Sequence, residues 1–113
     1  MSECNGRRKG RVVEVREFRN HRDDYTDEYV IEFRHDGDVY WLYCNARPSN
    51  DYDDGVNVDK THLHSCCGQI CVSKGKEPRS MEFAEAFAHY WMSGYSEMAR
   101  TGEFPDDGAA VEV

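Results

Sequence analysis

Within ten residues the chain gathers His62, His64, Cys66, Cys67 and Cys71, the side-chain types that ligate soft metal ions or act as nucleophiles. On an extended strand His62, His64 and Cys66 share a face, because side chains repeat every two residues. Imidazole and thiolate hold Zn²⁺ at about 2.0–2.3 Å in a tetrahedral shell. Cys71, beyond a bend at Gly68, would complete the set His62, His64, Cys66 and Cys71. Zinc is therefore the one cofactor the segment suggests. The spacing argues against it, since a C-C-x-x-x-C run is neither a ribbon nor a finger pattern. The alternative makes the cysteines small buried apolar groups and places the histidines on a solvated face. That alternative carries more weight, so the default expectation is no cofactor.

The same cluster could serve a thiol enzyme, with Cys66 or Cys67 activated by His64 or His89. No orienting carboxylate or oxyanion arrangement is legible beside it, so no catalytic residue is assigned. Five cysteines is an odd count, and reduced thiols fit a cytoplasmic chain better than a disulfide framework. A second acidic run, Asp51, Asp53, Asp54, Gly55, Asn57 and Asp59, fails as an EF-hand. Counted from Asp51, glycine falls at the fifth position and His62 at the twelfth, where the loop needs glycine at six and glutamate at twelve.

These residues must be positioned by a small scaffold. The chain has 113 residues, 39% of them hydrophobic and 12% aromatic, enough for one core and no second. Residues 1–10 read as a flexible lead-in, 11–102 as a single α+β domain, and 103–113 as an acidic tail. Residues 11–19 are β-branched with imperfect alternation, which predicts a bulge. Residues 28–44 read as a hairpin turning on Asp36-Gly37 as a type I′ pair, setting Phe33 opposite Tyr40 and Ile31 opposite Leu42. One face is then Tyr29, Ile31, Phe33, Tyr40, Leu42 and Cys44, a core face. The other is Val30, Glu32, Arg34, Val39, Trp41 and Tyr43. Residues 45–60 form a long acidic loop, and 61–73 read as two short strands bent at Gly68.

The strongest element is a helix capped by Ser80 and stopped at Gly102. Ala84, Phe87, Ala88, Trp91, Tyr95 and Met98 form its core stripe. Phe83, Ala86, Tyr90 and Met92 widen the apolar arc, which suggests a homodimer through helix 81–100. The expected fold is an antiparallel sheet of four to five strands with this one long C-terminal helix packed on it. A small SH3-like or OB-like barrel with an appended helix is the alternative.

Charge narrows the function. The net charge is −8, from 14 basic and 22 acidic groups. It is segregated: residues 1–22 hold seven basic and three acidic groups, and residues 23–59 hold two basic and eleven acidic. No apolar run approaches the length of a spanning helix, so no membrane partner is expected. No apolar stretch follows Arg7, Arg8 and Lys9, so no secretory leader is read either. No phosphate loop, G-x-G-x-x-G, G-x-S-x-G or H-E-x-x-H occurs.

The expectation is a small acidic cytoplasmic protein-binding module, more a binder than an enzyme. It would act as an inhibitor or regulator that docks carboxylates on a basic partner surface, including one that normally binds nucleic acid. The candidate contact residues are Asp23, Asp24, Asp27, Asp51, Asp53 and Asp54, with Trp41 and Tyr52 as aromatic anchors. The alternative is a zinc-stabilised nucleic-acid-binding domain that uses Arg7, Arg8, Lys9, Arg11 and Arg16 on phosphate.

Overall fold

The computed structural model describes residues 7–55 and 57–105. Three strands, β1 (Arg11–Arg22), β2 (Tyr25–His35) and β3 (Tyr40–Ala46), form an antiparallel sheet in the order β1-β2-β3. A one-turn helix α1 (Val58–Thr61) and a long helix α2 (Met81–Thr101) follow. The α+β class and the C-terminal helix stand, but the sheet has three strands, not four or five. The segment read as two further strands contributes only two isolated bridges, Leu63 with Ile70 and Tyr43 with Gln69. Its backbone still extends the sheet. Cys44 N–H donates to the Gly68 carbonyl at 2.9 Å and Ile70 N–H to the Leu42 carbonyl at 2.8 Å, covering the outer edge of β3.

The expected bulge lies between Val12 and Glu14 in β1. The β2–β3 register differs from the expected one by two residues: Phe33 faces Leu42, Ile31 faces Cys44, and His35 faces Tyr40. Asp36 is the cause. Its carboxylate accepts the N–H groups of Asp38 and Val39, both at 2.9 Å, and folds residues 36–39 into a four-residue loop. A slip of two preserves face parity. Tyr29, Ile31, Phe33, Leu42 and Cys44 are therefore buried as expected.

Helix α2 lies across that face. Ser80 caps it by accepting the Phe83 N–H, and Gly102, at φ 87°, ends it with its N–H on the Met98 carbonyl. Ala84, Phe87, Ala88, Trp91, Tyr95 and Met98 are all buried. Tyr29 packs edge-on against both Trp91 and Tyr95. Its hydroxyl lies 2.7 Å from Ser96 Oγ, and Ser96 accepts from Asn20 at 2.9 Å, so the polar atoms drawn into this core are satisfied.

The wide apolar arc of α2 finds its second cover inside the chain. Leu63 and Ile70 share its core cluster, and the Trp91 indole N–H donates to the Thr61 carbonyl at 3.1 Å. Phe104 folds back so closely that a Cβ on Gly94 would lie 2.4 Å from its ring. Met92 is buried and Phe83 stays 43% exposed. Of the arc, Met92 is thus covered within the chain, Ala86 and Tyr90 are half-buried, and Phe83 remains at the surface. None of the described helices is long and apolar enough to cross a membrane.

Candidate docking surface

The opposite face of the sheet carries Glu32, Arg34, Trp41 and Tyr43, and the chain covers it with its own lead-in. Gly10 takes φ +73° where a Cβ would lie 2.5 Å from the His35 carbonyl oxygen, so only glycine lets residues 8–9 cross from this face into β1. Lys9 N–H donates to the Tyr43 hydroxyl at 2.7 Å, and its ammonium sits 3.9 Å from the Trp41 ring centroid. Arg34 donates to the Lys9 and Gly10 carbonyls. Arg8 donates to Glu32 at 3.0 Å, to Asn45 at 2.7 Å and to the Cys67 carbonyl at 3.1 Å. Glu32 also receives Arg34 at 2.6 Å. Burial works against its ionisation, but the hydrogen bonds from Arg34 and Asn45 outweigh it and hold its carboxyl below the usual range. Trp41, expected as an anchor, is half-buried, with its indole N–H on Asp36 at 2.8 Å.

The arginines expected to track phosphate are divided between the two faces. Arg8 and Lys9 belong to the helix-free face just described. Arg16 lies on the helix side, donating to Glu14 and Glu85, each at 2.7 Å. Arg7 and Arg11 are exposed at the start of the described chain. The five do not form one strip, because alternation along β1 and the crossing at Gly10 send them in different directions.

The histidine–cysteine cluster is also rearranged. His62 is not on a strand but caps α1 at φ 58°, its ring 4.1 Å from that of Phe104. His64 opens a tight turn, its carbonyl accepting the Gly68 N–H at 2.7 Å. Cys66 is disulfide-bonded, a departure from the expected reduced state, whereas Cys44, Cys67 and Cys71 are reduced. Among the described residues no three His, Cys, Asp or Glu side chains are placed to hold a metal ion. The premise of strand alternation fails at His62, where the chain is turning out of a helix.

The six aspartates split into two groups. Asp27 and Asp53 have internal roles. Asp27 is buried and receives both terminal nitrogens of Arg100, at 2.7 and 3.0 Å. Asp53 takes Arg47 at 2.7 Å and the Tyr95 hydroxyl. Burial opposes its charge, but those two partners hold its carboxyl below the usual range, while burial pushes Tyr95 up to about 12. Asp23, Asp24, Asp51 and Asp54 are exposed, the first pair on the β1–β2 turn and the second on the loop after β3.

Both acidic connections meet the last turns of α2. The Arg100 guanidinium lies 3.5 Å over the ring of Tyr25, next to the Asp23-Asp24 turn. Tyr52, 43% exposed, packs where a Cβ on Gly102 would lie 2.9 Å from its ring, and the Lys60 ammonium lies 5.6 Å from the same ring's centroid. Glu97 and Glu103 are exposed on the same stretch. The end of a helix adds partial negative charge from its last carbonyls. The last turns of α2 therefore lie beside both connections that carry the exposed aspartates, with Asp27 and Asp53 held by Arg100 and Arg47 beneath. Nothing in the sequence marks Arg47 and Arg100 as partners of Asp53 and Asp27, and Arg8, read there as a phosphate contact, pairs with Glu32 in the structure, because spacing carries no local trace of these contacts.

Comparisons with protein-family models, with curated proteins and with solved structures find no match to this chain.

Proposed function

We propose that the chain is a non-enzymatic protein-binding module that docks its acidic end on a basic partner surface, as an inhibitor or regulator of that partner. The observation that carries the reading is the meeting of the two acidic connections at the C-terminal end of α2. Asp23, Asp24, Asp51 and Asp54 stand outward there, while Asp27–Arg100 and Asp53–Arg47 fix the backbone beneath them. Carboxylates on a fixed frame steer and orient a cationic partner, and Tyr52 supplies apolar contact in their midst. In its sharpest form the module occupies a groove that otherwise takes nucleic acid, presenting carboxylates in place of phosphates.

The test is capture of binding proteins on the immobilised chain at low ionic strength, followed by a salt gradient. Partner release at moderate salt, loss of capture by the Asp23→Asn, Asp24→Asn, Asp51→Asn, Asp54→Asn variant, and displacement by duplex DNA are expected. Binding that survives both high salt and the fourfold variant defeats the reading.

A further inference from the structure

Strand β1 is an edge. Among the described residues only β2 pairs with it, so its other side presents unpaired backbone donors and acceptors. Long edges of this kind are usually shielded by proline, by a covering loop or by a bulge. Here the bulge sits near the start, and Glu14–Arg22 runs on in unbroken register with β2. Val12, Val13 and Val15 are each 50–53% exposed along this strand.

We propose that a second copy of this chain covers the edge, the two β1 strands pairing antiparallel about a two-fold axis at Val15. The result is one continuous six-stranded sheet from two three-stranded halves. The charge pattern selects both the occupant and the centre. Glu14 and Arg16 flank Val15, so pairing centred there sets each Glu14 opposite Arg16 of the second copy. Those two side chains already meet at 2.7 Å within one chain, on the helix side of the strand. The cross-pairs extend that contact into a four-membered network, and the two Val15 side chains meet on the axis.

The neighbouring centres are worse. An axis at Glu14, Arg16 or Glu17 puts a like charge opposite itself, which destabilises a strand pair. An axis at Phe18 matches Glu17 with Arg19, but sets Val15 against His21 and leaves Val12 and Val13 in water. An isologous contact of this kind closes on itself and gives a dimer, not a fibre.

Sedimentation equilibrium of the whole chain, from micromolar to sub-millimolar concentration, tests the proposal. The mass is expected to rise from 13.1 kDa toward twice that value. Val15→Lys, which sets two ammonium groups opposite each other, is expected to weaken the dimer at least tenfold with an unchanged circular dichroism spectrum. Val15→Cys is expected to cross-link into a covalent dimer on mild oxidation, well ahead of Arg19→Cys. A monomer at every concentration overturns the proposal, as does a Val15→Lys chain that dimerises like the parent. A dimer broken by Phe83→Lys but not by Val15→Lys moves the contact to α2 and overturns it too.

Discussion

Arg100, on the last turn of α2, grips the buried carboxylate of Asp27 on β2 with both terminal nitrogens and lays its guanidinium over Tyr25. This pair ties the helix to the start of β2 across 73 residues of sequence. Removing one partner leaves the other side chain without its fork of hydrogen bonds, a loss of about 1.5–3 kcal/mol for bonds to a charged group. Asp27→Asn is expected to lower unfolding free energy in urea by about 1–3 kcal/mol and to leave partner affinity nearly unchanged. Asp24→Asn is expected to do the reverse. Equal effects of the two on affinity would show that the division between internal and outward carboxylates is wrong.

Acid stability follows from Asp36. The Trp41 indole N–H, then the backbone N–H groups of Val39 and Asp38, hold its carboxyl at about 2. In the unfolded chain an aspartate titrates near about 3.9. A depressed folded value means the stabilisation is complete above the unfolded value and disappears as pH falls through the folded one. Melting temperature is therefore expected to fall between about pH 4 and pH 2. Asp36→Asn should flatten part of that decline; an identical slope in the variant would remove Asp36 from the account.

Gly94 sits inside α2, where alanine is ordinarily better by about 0.8–1.0 kcal/mol. A Cβ there meets the far edge of the Phe104 ring, which can swing away. Gly94→Ala is expected to change global stability by less than about 1 kcal/mol while releasing Phe104 from the helix. Proton NMR reads the release directly, through the ring-current shifts that Phe104 and His62 impose on each other at 4.1 Å between ring centroids. Unchanged shifts would mean that the ring keeps its place.

The thiols should react in a fixed order. Burial pushes Cys44 up to about 11, and its Sγ donates to the Ala46 carbonyl at 3.2 Å. Cys67 is only half-buried, on the 65–67 turn. Iodoacetamide near neutral pH is expected to modify Cys67 well before Cys44, with mass mapping as the readout. Equal rates would imply that β3 opens at its outer edge as easily as the turn.

The sequence made the periodic parts of this molecule legible. Ser80, Gly102 and the stripe from Ala84 to Met98 are all written in local spacing, and the helix forms where that spacing ends. The faces of the hairpin were legible for the same reason, although the loop was not. Asp36-Gly37 favours a two-residue turn, but the Asp36 carboxylate bonds two residues onward and lengthens it. The strands around Gly68 shrink to single bridges because His62 leaves a helix in the left-handed region, which residue type alone does not announce. The acidic surface was half legible. Outward aspartates and those bonded to Arg47 or Arg100 look alike in sequence, since their partners are set by tertiary approach.

The bonds from Tyr29 to Met92, from Asn20 to Ser96 and from Asp27 to Arg100 join residues 63, 76 and 73 positions apart. The core face of the sheet is closed largely by a helix that follows all three strands in the chain. Until Met81–Thr101 clears the ribosome, the hairpin of β2 and β3 lacks most of what its core face packs against, and loop closure over this distance precedes most of the stabilising contact. During synthesis the aromatic face of the sheet therefore waits for a helix that is made after it.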